Sequence, residues 1–304
     1  MGIAVITIYC NESFRIQKWI QYYELYKDEI AMHIVVDNHS TENEIKRLIE
    51  AFSDSDIIRL KENGGVTAAY NAGIKYAMED PSIDAVAFIG NDIKLEKGGL
   101  TKLYEFLMKD ESLGEVSPVL LKKDSLIVED NGDYFTKNLV MNEFDLGEEY
   151  SSNLRNHKSD GLPGAMNMAK MQMYKKVGLL DETLFMYSDE VDIGIRAQRA
   201  GYVFSSCAEV KAWHQHENPN KKATRDPWAN YLVIRNKVYL AKKHFGLRRM
   251  IYVFSCHVIY SLLLIGAGII KRDKEKRKKG RWQIIGAVNG LRGNMNHNRY
   301  SQPM

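Results

Sequence analysis

The residues of this 304-residue chain best placed to do chemistry are acids and amides that directly follow apolar runs. Asn91-Asp92 comes one glycine after the run Ala85–Ile89. A carboxylate at the end of a buried strand is costly unless a cation or donor groups meet it. A hard divalent ion bridging Asp92 to a diphosphate would do so, since Mg²⁺ takes one or two carboxylates plus substrate phosphates. Capping the next segment is the plainer role for the same pair. Asp181-Glu182 and Asp189-Glu190-Val191-Asp192 place five acids in twelve residues. Asp189 and Glu190 open a helical pattern that runs to Ala200, where the helix dipole favours acids. A carboxylate there can also serve as general base for a sugar hydroxyl. His214 and His216 alternate at strand spacing, so at most one of them can join Asp92 in a metal site.

Two familiar phosphate-binding patterns are absent: no G-x-G-x-x-G follows a strand, and no Gly-Lys-Ser/Thr loop occurs. Glu62-Asn63-Gly64-Gly65 instead leads into Ala68-Ala69-Tyr70-Asn71-Ala72-Gly73, a glycine turn opening a small-residue helix. Such a helix lets backbone approach a ligand or pack closely on a sheet. Cys10, Cys207 and Cys256 lie far apart with no Cys-x-x-Cys pair, which excludes a disulfide scaffold and fits three thiols in a reducing compartment.

These groups need elements to carry them. Ile3–Tyr9, Met32–Val36, Ile57–Leu60 and Ala85–Ile89 read as strands, alternating with helical stretches Phe14–Lys27, Glu44–Phe52 and Val66–Met78. The alternation predicts parallel βαβ units with both sheet faces covered. Ligands of such sheets lie beyond the carboxyl ends of the strands, where Asn11-Glu12-Ser13, Asp37-Asn38-His39-Ser40 and Gly90-Asn91-Asp92 fall. Residues 115–160 read as short strands and loops, Tyr202–Trp213 as a strand and Trp228–Phe245 as a long helix.

The chain is 45% hydrophobic, 27% charged and 10% aromatic, which excludes disordered and collagen-like classes. Its net charge of +3 hides an asymmetry: Lys242–Met304 holds 14 Lys/Arg against 2 Asp/Glu, or +12, leaving −9 for residues 1–241. An acidic body with a basic tail does not suit a nucleic-acid binder. It suits a soluble domain whose end faces anionic lipid. Met250–Ile270 is long enough to span hydrocarbon, yet it holds His257 and several hydroxyls and is flanked on both sides by Arg248-Arg249 and Lys271–Arg281. With a second amphipathic piece at Trp282–Leu291, an interfacial anchor on an anionic membrane surface ranks first, a span second and a core helix third. The opening Met-Gly-Ile-Ala-Val-Ile lacks a basic n-region and cleavage site, so the body is expected in the cytoplasm, peripheral on the inner face of the membrane.

Taken in order, seven segments resemble the motif series of the family 2 inverting glycosyltransferases, the rhamnosyltransferase-like branch in particular. They are Val36–Ser40, Glu62–Gly65 through Asn71-Ala72-Gly73, Gly90-Asn91-Asp92, Gly164–Met168, Gly178–Glu182, Phe185–Asp192 and Arg235-Asn236. The resemblance runs from Ile3 to about Phe245, and Gly286–Gly293 is similar to the tail of that branch. It implies an α/β fold of GT-A type, Rossmann-like, with a mostly parallel central sheet flanked by helices. That domain would cover residues 1–245, with a nucleotide-binding half at 1–113 and an acceptor-binding half at 114–245. Membrane-associating helices would follow at 246–304.

The resemblance also implies a nucleotide-diphosphate sugar donor, dTDP-rhamnose or a UDP-sugar. The acceptor would be a hydroxyl of a cell-surface polysaccharide or a lipid-linked glycan. By position Asp37 meets the base, with Thr7, Asn11, Glu12 and Asn63 around the nucleoside, and Gly65, Asn71 and Asn91 on the donor side. Asp92 matches the last acid of the family's Asp-x-Asp motif and implies Mg²⁺ or Mn²⁺, with His214 completing the metal shell; Gly164-Ala165-Met166 matches the loop under the acceptor. Two departures matter. The family's Glu-Asp pair reads Asp189-Glu190, so Glu190 takes the usual base position and either carboxylate can serve. Gly90 replaces the first acid or amide of the metal motif, so modest metal affinity is expected.

A sugar-phosphate nucleotidyltransferase is the alternative among enzymes, but Thr7–Arg15 supplies no Gly-rich, basic phosphate loop. A noncatalytic nucleotide-sugar- or glycan-binding subunit is the alternative outside them. No nucleic-acid partner is expected, and the oligomeric state is left open.

Overall fold

Strand β1 (Ile3–Tyr9) is buried along almost its whole length, which is why it reads as a continuous apolar run. Ala4 and Ile6 turn to one side of the sheet, Ile3 and Val5 to the other, and helices cover both faces. The computed structural model describes residues 1–215 and 227–296, and its first half repeats this pattern. After β1 come α1 (Ile16–Tyr23), β2 (Met32–Asp37), α2 (Glu42–Ala51), β3 (Asp56–Arg59), α3 (Gly65–Ala77) and β4 (Ala85–Ile89). The pairings of β1 with β2, β1 with β4 and β2 with β3 are all parallel, so the carboxyl ends of these strands point the same way.

The stretch Phe14–Lys27 is not one helix. A 3-10 turn at Ser13–Arg15 precedes α1, and a second at Lys27–Glu29 follows it. Distant partners impose both breaks. Glu44 accepts hydrogen bonds from the Ser13 N–H (2.9 Å) and hydroxyl (2.7 Å), and Glu29 accepts from the N–H groups of Gly98 (2.9 Å) and Thr101 (2.8 Å).

The chain continues through β5 (Ile93–Leu95), α4 (Gly99–Lys109), β6 (Leu113–Lys122), β7 (Val128–Asp130), β8 (Asp133–Phe135), β9 (Met141–Glu143) and β10 (Lys158–Ser159). Next are β11 (Met166–Lys170), α5 (Met171–Val177), α6 (Asp189–Arg199) and β12 (Val203–His214). The main sheet runs β10-β12-β6-β11-β4-β1-β2-β3, with β5 on β12 and β7 on β6; β8 and β9 form a separate pair. Strand β11 slots in antiparallel to both β4 and β6, while β12 runs parallel to β6.

Contacts divide the chain into two units: Met1–Tyr134 with Asn142–Leu180 and Ile193–Asn218, and Phe135–Met141 with Asp181–Asp192 and Pro219–Met304. The first unit holds the main sheet. The second is built on α7 (Pro227–Phe245), α8 (Leu247–Ile270) and α9 (Lys274–Arg292). Gly286 and Gly290 set α9 directly against α7. A Cβ at Gly286 would strike the Tyr231 carbonyl oxygen, and one at Gly290 the Arg235 carbonyl oxygen. Four-residue spacing puts both on one face, so the two backbones touch along a strip where no side chain fits.

Helix α8 is two-sided. Met250, Val253, His257, Ser261 and Gly268 turn inward, and the Ser261 hydroxyl donates to Gln283 of α9 at 3.1 Å. Ile251, Ile259, Tyr260, Leu262, Leu263 and Ile270 are exposed. Among the described residues it is the one helix long and apolar enough to cross a membrane. Helix α9 begins well ahead of the amphipathic piece expected at Trp282–Leu291, because Asp273 caps it by accepting from the Lys276 N–H at 3.0 Å.

Candidate active site

The loops beyond β1 and β2 interlock through side chains. Asp37, fully buried at the end of β2, accepts from the Ser40 N–H at 3.0 Å and lies 3.3 Å from the Arg59 guanidinium. Next to it, Asn38 accepts from the Gly64 N–H (3.0 Å) and donates to the Gly65 carbonyl (3.2 Å), which hangs the Asn63-Gly64-Gly65 turn from β2. Asn63 accepts from the Gly65 N–H at 3.0 Å and donates to the Cys10 sulfur at 3.7 Å. Asn11, held at φ 52°, donates its N–H to the Ser40 hydroxyl and accepts from the Thr41 N–H, both at 2.9 Å. Thr7 is buried inside β1. Asn71 is only 2% exposed, and its amide both donates to the Leu180 carbonyl and accepts from the Leu180 N–H at 2.9 Å, so it fixes that corner of the chain.

The turn after β4 collects the next group. Gly90 donates its N–H to the Ala165 carbonyl at 2.9 Å, which brings Gly164-Ala165-Met166 beside Asn91-Asp92. The register His214↔Ile93 between β12 and β5 delivers His214 to the same place. The His214 Nε2 stands 3.7 Å from Asp92 Oδ2, and its Nδ1 lies 3.0 Å from a Glu129 oxygen. Asn91 donates to Glu12 at 2.6 Å. Arg15, which local spacing did not single out, donates from Nη1 to Asp92 Oδ2 at 2.5 Å and to Asn91 Oδ1 at 3.2 Å. His216 lies outside the described residues.

This donor set fits a hard divalent cation. A carboxylate accepting from Nδ1 turns Nε2 outward as a ligand, the usual arrangement around metal-binding histidines, and a positively charged guanidinium already pairs with Asp92. Among the described residues, no three His, Cys, Asp or Glu side chains are grouped to hold a metal. Phosphate oxygens would therefore have to complete the shell.

In the second unit, the acids at 189–190 follow a strained segment. Phe185, Tyr187 and Ser188 have φ of 66°, 69° and 63°, a region that side chains other than glycine rarely adopt. Asn236 of α7 holds the segment, donating its amide to the carbonyls of Leu184 (3.1 Å), Met186 (2.9 Å) and Tyr187 (2.7 Å). The buried Arg235 adds a bond to the Leu184 carbonyl at 2.9 Å. Glu190 accepts from the Ser188 N–H at 3.2 Å. Burial, and next the neighbouring Glu190 carboxylate, push the Asp189 carboxyl well above the usual carboxylate range. Asp192 is fully buried and bound by Lys243 (2.6 Å) and His244 (2.7 Å). Arg235-Asn236 was visible in the sequence as a family-like pair; Lys243 and His244 carried no signal there.

The family model for Glycosyl transferase family 2 matches residues 4–178, more than half of the chain. The chain belongs to glycosyl transferase family 2, and it is a glycosyltransferase with the α/β GT-A fold that its motifs implied. Among its relatives, the low-salt glycan biosynthesis hexosyltransferase Agl10 of Haloferax volcanii is 23% identical over 271 residues, covering 86% of this chain and 83% of that protein. The dTDP-rhamnosyl transferase RfbF of Shigella flexneri is 22% identical, covering 90% and 91%. An N-acetylglucosaminyl-diphospho-decaprenol L-rhamnosyltransferase of Mycobacterium tuberculosis is 20% identical, covering 80% and 85%.

Two solved structures share the fold. GalNAc-T7 with UDP, GalNAc and Mn²⁺ superposes with a TM-score of 0.62 at 10% identity, covering 80% of this chain and 48% of that longer one. The mannosyltransferase PcManGT of Pyrobaculum calidifontis, with GDP-Man and Mn²⁺, gives 0.55 at 15% identity, covering 95% and 86%. Mn²⁺ in both structures suggests a divalent cation for this fold.

Proposed function

We propose that the enzyme moves a hexosyl group, rhamnose from dTDP-rhamnose or a sugar from a UDP-sugar, to a hydroxyl of a cell-surface polysaccharide or lipid-linked glycan. The observation that carries this reading is Asp92 facing His214, beside Asn91 and Arg15 at the strand ends of a family 2 fold. The relatives' hexosyl and rhamnosyl donors and diphospho-lipid acceptor support the choice of substrates.

Asp37 meets the base, with Thr7, Asn11, Glu12, Asn63, Gly65 and Asn91 around the donor, and Asn71 serves them by fixing Leu180. Gly164-Ala165-Met166 lies under the acceptor. Asp92 and His214 would hold Mg²⁺ or Mn²⁺, which when bound offsets the charge that builds on the departing diphosphate. The acceptor hydroxyl needs a carboxylate within about 3 Å of its proton. We assign that role to Glu190, which takes the family's usual base position and is oriented by the Ser188 N–H, whereas desolvation and the neighbouring Glu190 carboxylate raise the Asp189 carboxyl. The acceptor oxygen bonds to the anomeric carbon as the carbon–oxygen bond to the diphosphate breaks, and the hydroxyl proton passes to Glu190. One displacement inverts the carbon, and no covalent enzyme intermediate is needed.

Residues 1–245 carry catalysis in this reading, and 246–304 rest on the anionic inner face of the cell membrane without crossing it. Support comes from the second face of α8. Gly268 packs on the stem of Arg277 and Gly280 on the Ser261 carbonyl, so the basic start of α9 runs beside the last turns of α8. Crossing would draw those charges toward hydrocarbon, where each costs up to about 2.5–3.5 kcal/mol at the bilayer centre and less near the helix ends. Incubation with UDP- and dTDP-sugars plus Mn²⁺ tests the catalytic reading by release of nucleoside diphosphate. Turnover should vanish in Asp92→Asn and Glu190→Gln, and full turnover in both variants overturns the assignment.

A further inference from the structure

Arg15 is held against the carboxylate assigned above to the cation. Its turn is anchored by Glu44 through Ser13, and from there Nη1 reaches Asp92 Oδ2 at 2.5 Å and Asn91 at 3.2 Å, while Nε lies 3.6 Å from Glu12. The Arg15 and Asp92 side chains are 17% and 16% exposed, so their attraction is less screened than at an open surface. A cation held by Asp92 would compete with the Arg15 guanidinium, 2.5 Å from Asp92 Oδ2, for one carboxylate with a charge of the same sign. To release Asp92, Arg15 needs another anion, and the planar fork of a guanidinium matches phosphate well.

We propose that Arg15 stands in for the cation on Asp92 until a nucleoside diphosphate draws it away, so that cation and donor enter together. This rests on the assignment of Asp92 to the cation. It makes the two affinities reciprocal: nucleotide tightens metal binding and metal tightens nucleotide binding by the same factor. Arg15 is thus a positioning residue that keeps the site closed to free cation.

The test is Mn²⁺ titration of the full chain, followed by the electron paramagnetic resonance signal of free Mn²⁺, with and without UDP or dTDP. Without nucleotide, Arg15→Gln should bind Mn²⁺ at least about fivefold more tightly than the unaltered chain, and added nucleotide should then improve its binding at least about fivefold less. Arg47→Gln controls for net charge, because Arg47 is exposed and donates to the Ser13 hydroxyl at 3.0 Å. It should leave Mn²⁺ affinity within about twofold, a change below typical site-to-site linkage. Arg15→Met, which keeps the aliphatic stem, repeats the measurement if the glutamine variant fails to fold. No gain in either Arg15 variant, or an equal gain in Arg47→Gln, overturns the proposal. Asp92→Asn separates the two layers. If it leaves Mn²⁺ binding unchanged, the cation assignment itself falls; if it abolishes binding while the Arg15 variants gain nothing, the stand-in role alone falls.

Discussion

The Asn236 side-chain amide donates to the carbonyl of Tyr187 at 2.7 Å, and Tyr187 is a residue held at φ 69°. A single side chain of α7 thus fixes the conformation of the backbone leading into Asp189 and Glu190. Asn236→Ala would leave the Met186 and Tyr187 carbonyls without this donor, at about 1–3 kcal/mol for each buried group left unsatisfied. The strained residues would then relax. We expect kcat to fall at least about tenfold, the equivalent of 1.4 kcal/mol, with dTDP or UDP affinity held within about twofold. Steady-state kinetics beside nucleotide titration checks this.

The two adjoining acids should respond differently to amide substitution. Desolvation and the adjoining Glu190 carboxylate raise the Asp189 carboxyl well above the usual carboxylate range. Asp189→Asn keeps a neutral hydrogen-bonding group there and should retain at least about a tenth of the rate, whereas Glu190→Gln should lose 100-fold or more, within the usual worth of a general base. The reverse order of losses would move the base to Asp189.

Stability should fall as pH rises through the range of one buried acid. Burial pushes Asp130 up to about 7, with Glu143 and Glu129 adding to the rise and the Gly132 N–H opposing it. An acid whose pKa is higher in the folded state binds its proton more tightly there, so folding is favoured at low pH. That advantage is lost between the unfolded value near 4 and the folded value, roughly 4 kcal/mol in all. Thermal melts from pH 4 to 7.5 should show the decline, and Asp130→Asn should flatten it.

The proposed membrane contact can be tested without touching the core. Ile259 is 59% exposed and Leu263 68%, so Ile259→Glu with Leu263→Glu leaves the packing of α8 on its neighbours intact. We expect the unaltered chain to cosediment with vesicles rich in phosphatidylglycerol far better than with phosphatidylcholine, and high salt to release it. The double variant should bind at least about tenfold more weakly, since apolar area lost to the interface costs roughly 25 cal/mol per Å². Equal binding by the two proteins would remove α8 from the contact.

What the sequence made legible was local. β1, β2 and β4 announce themselves because strands buried on both faces must be apolar throughout, and Asp37, Asn63, Asn91 and Asp92 follow strands or open a glycine turn. Partnerships across the chain were not legible. Arg15 and Asp92 are 77 positions apart, and Asn236 and Tyr187 are 49 apart. Periodicity records which face of an element is buried, but not what it is buried against. The insertion of β11 against the direction of β4 escaped for the same reason, because an antiparallel central strand is as apolar as a parallel one. The breaks on either side of α1 depend on Glu44 and Glu29, acids that local spacing does not single out.

The glycine strip between α9 and α7 has a practical consequence for anyone preparing this enzyme. Cutting the chain after Phe245 would strip α7 of the helix that lies flush on its Tyr231 and Arg235 carbonyls. Arg235 and Asn236 are the very residues that brace the backbone ahead of Asp189 and Glu190. We expect such a shortened preparation to lose turnover, so α8 and α9 are best kept joined to α7.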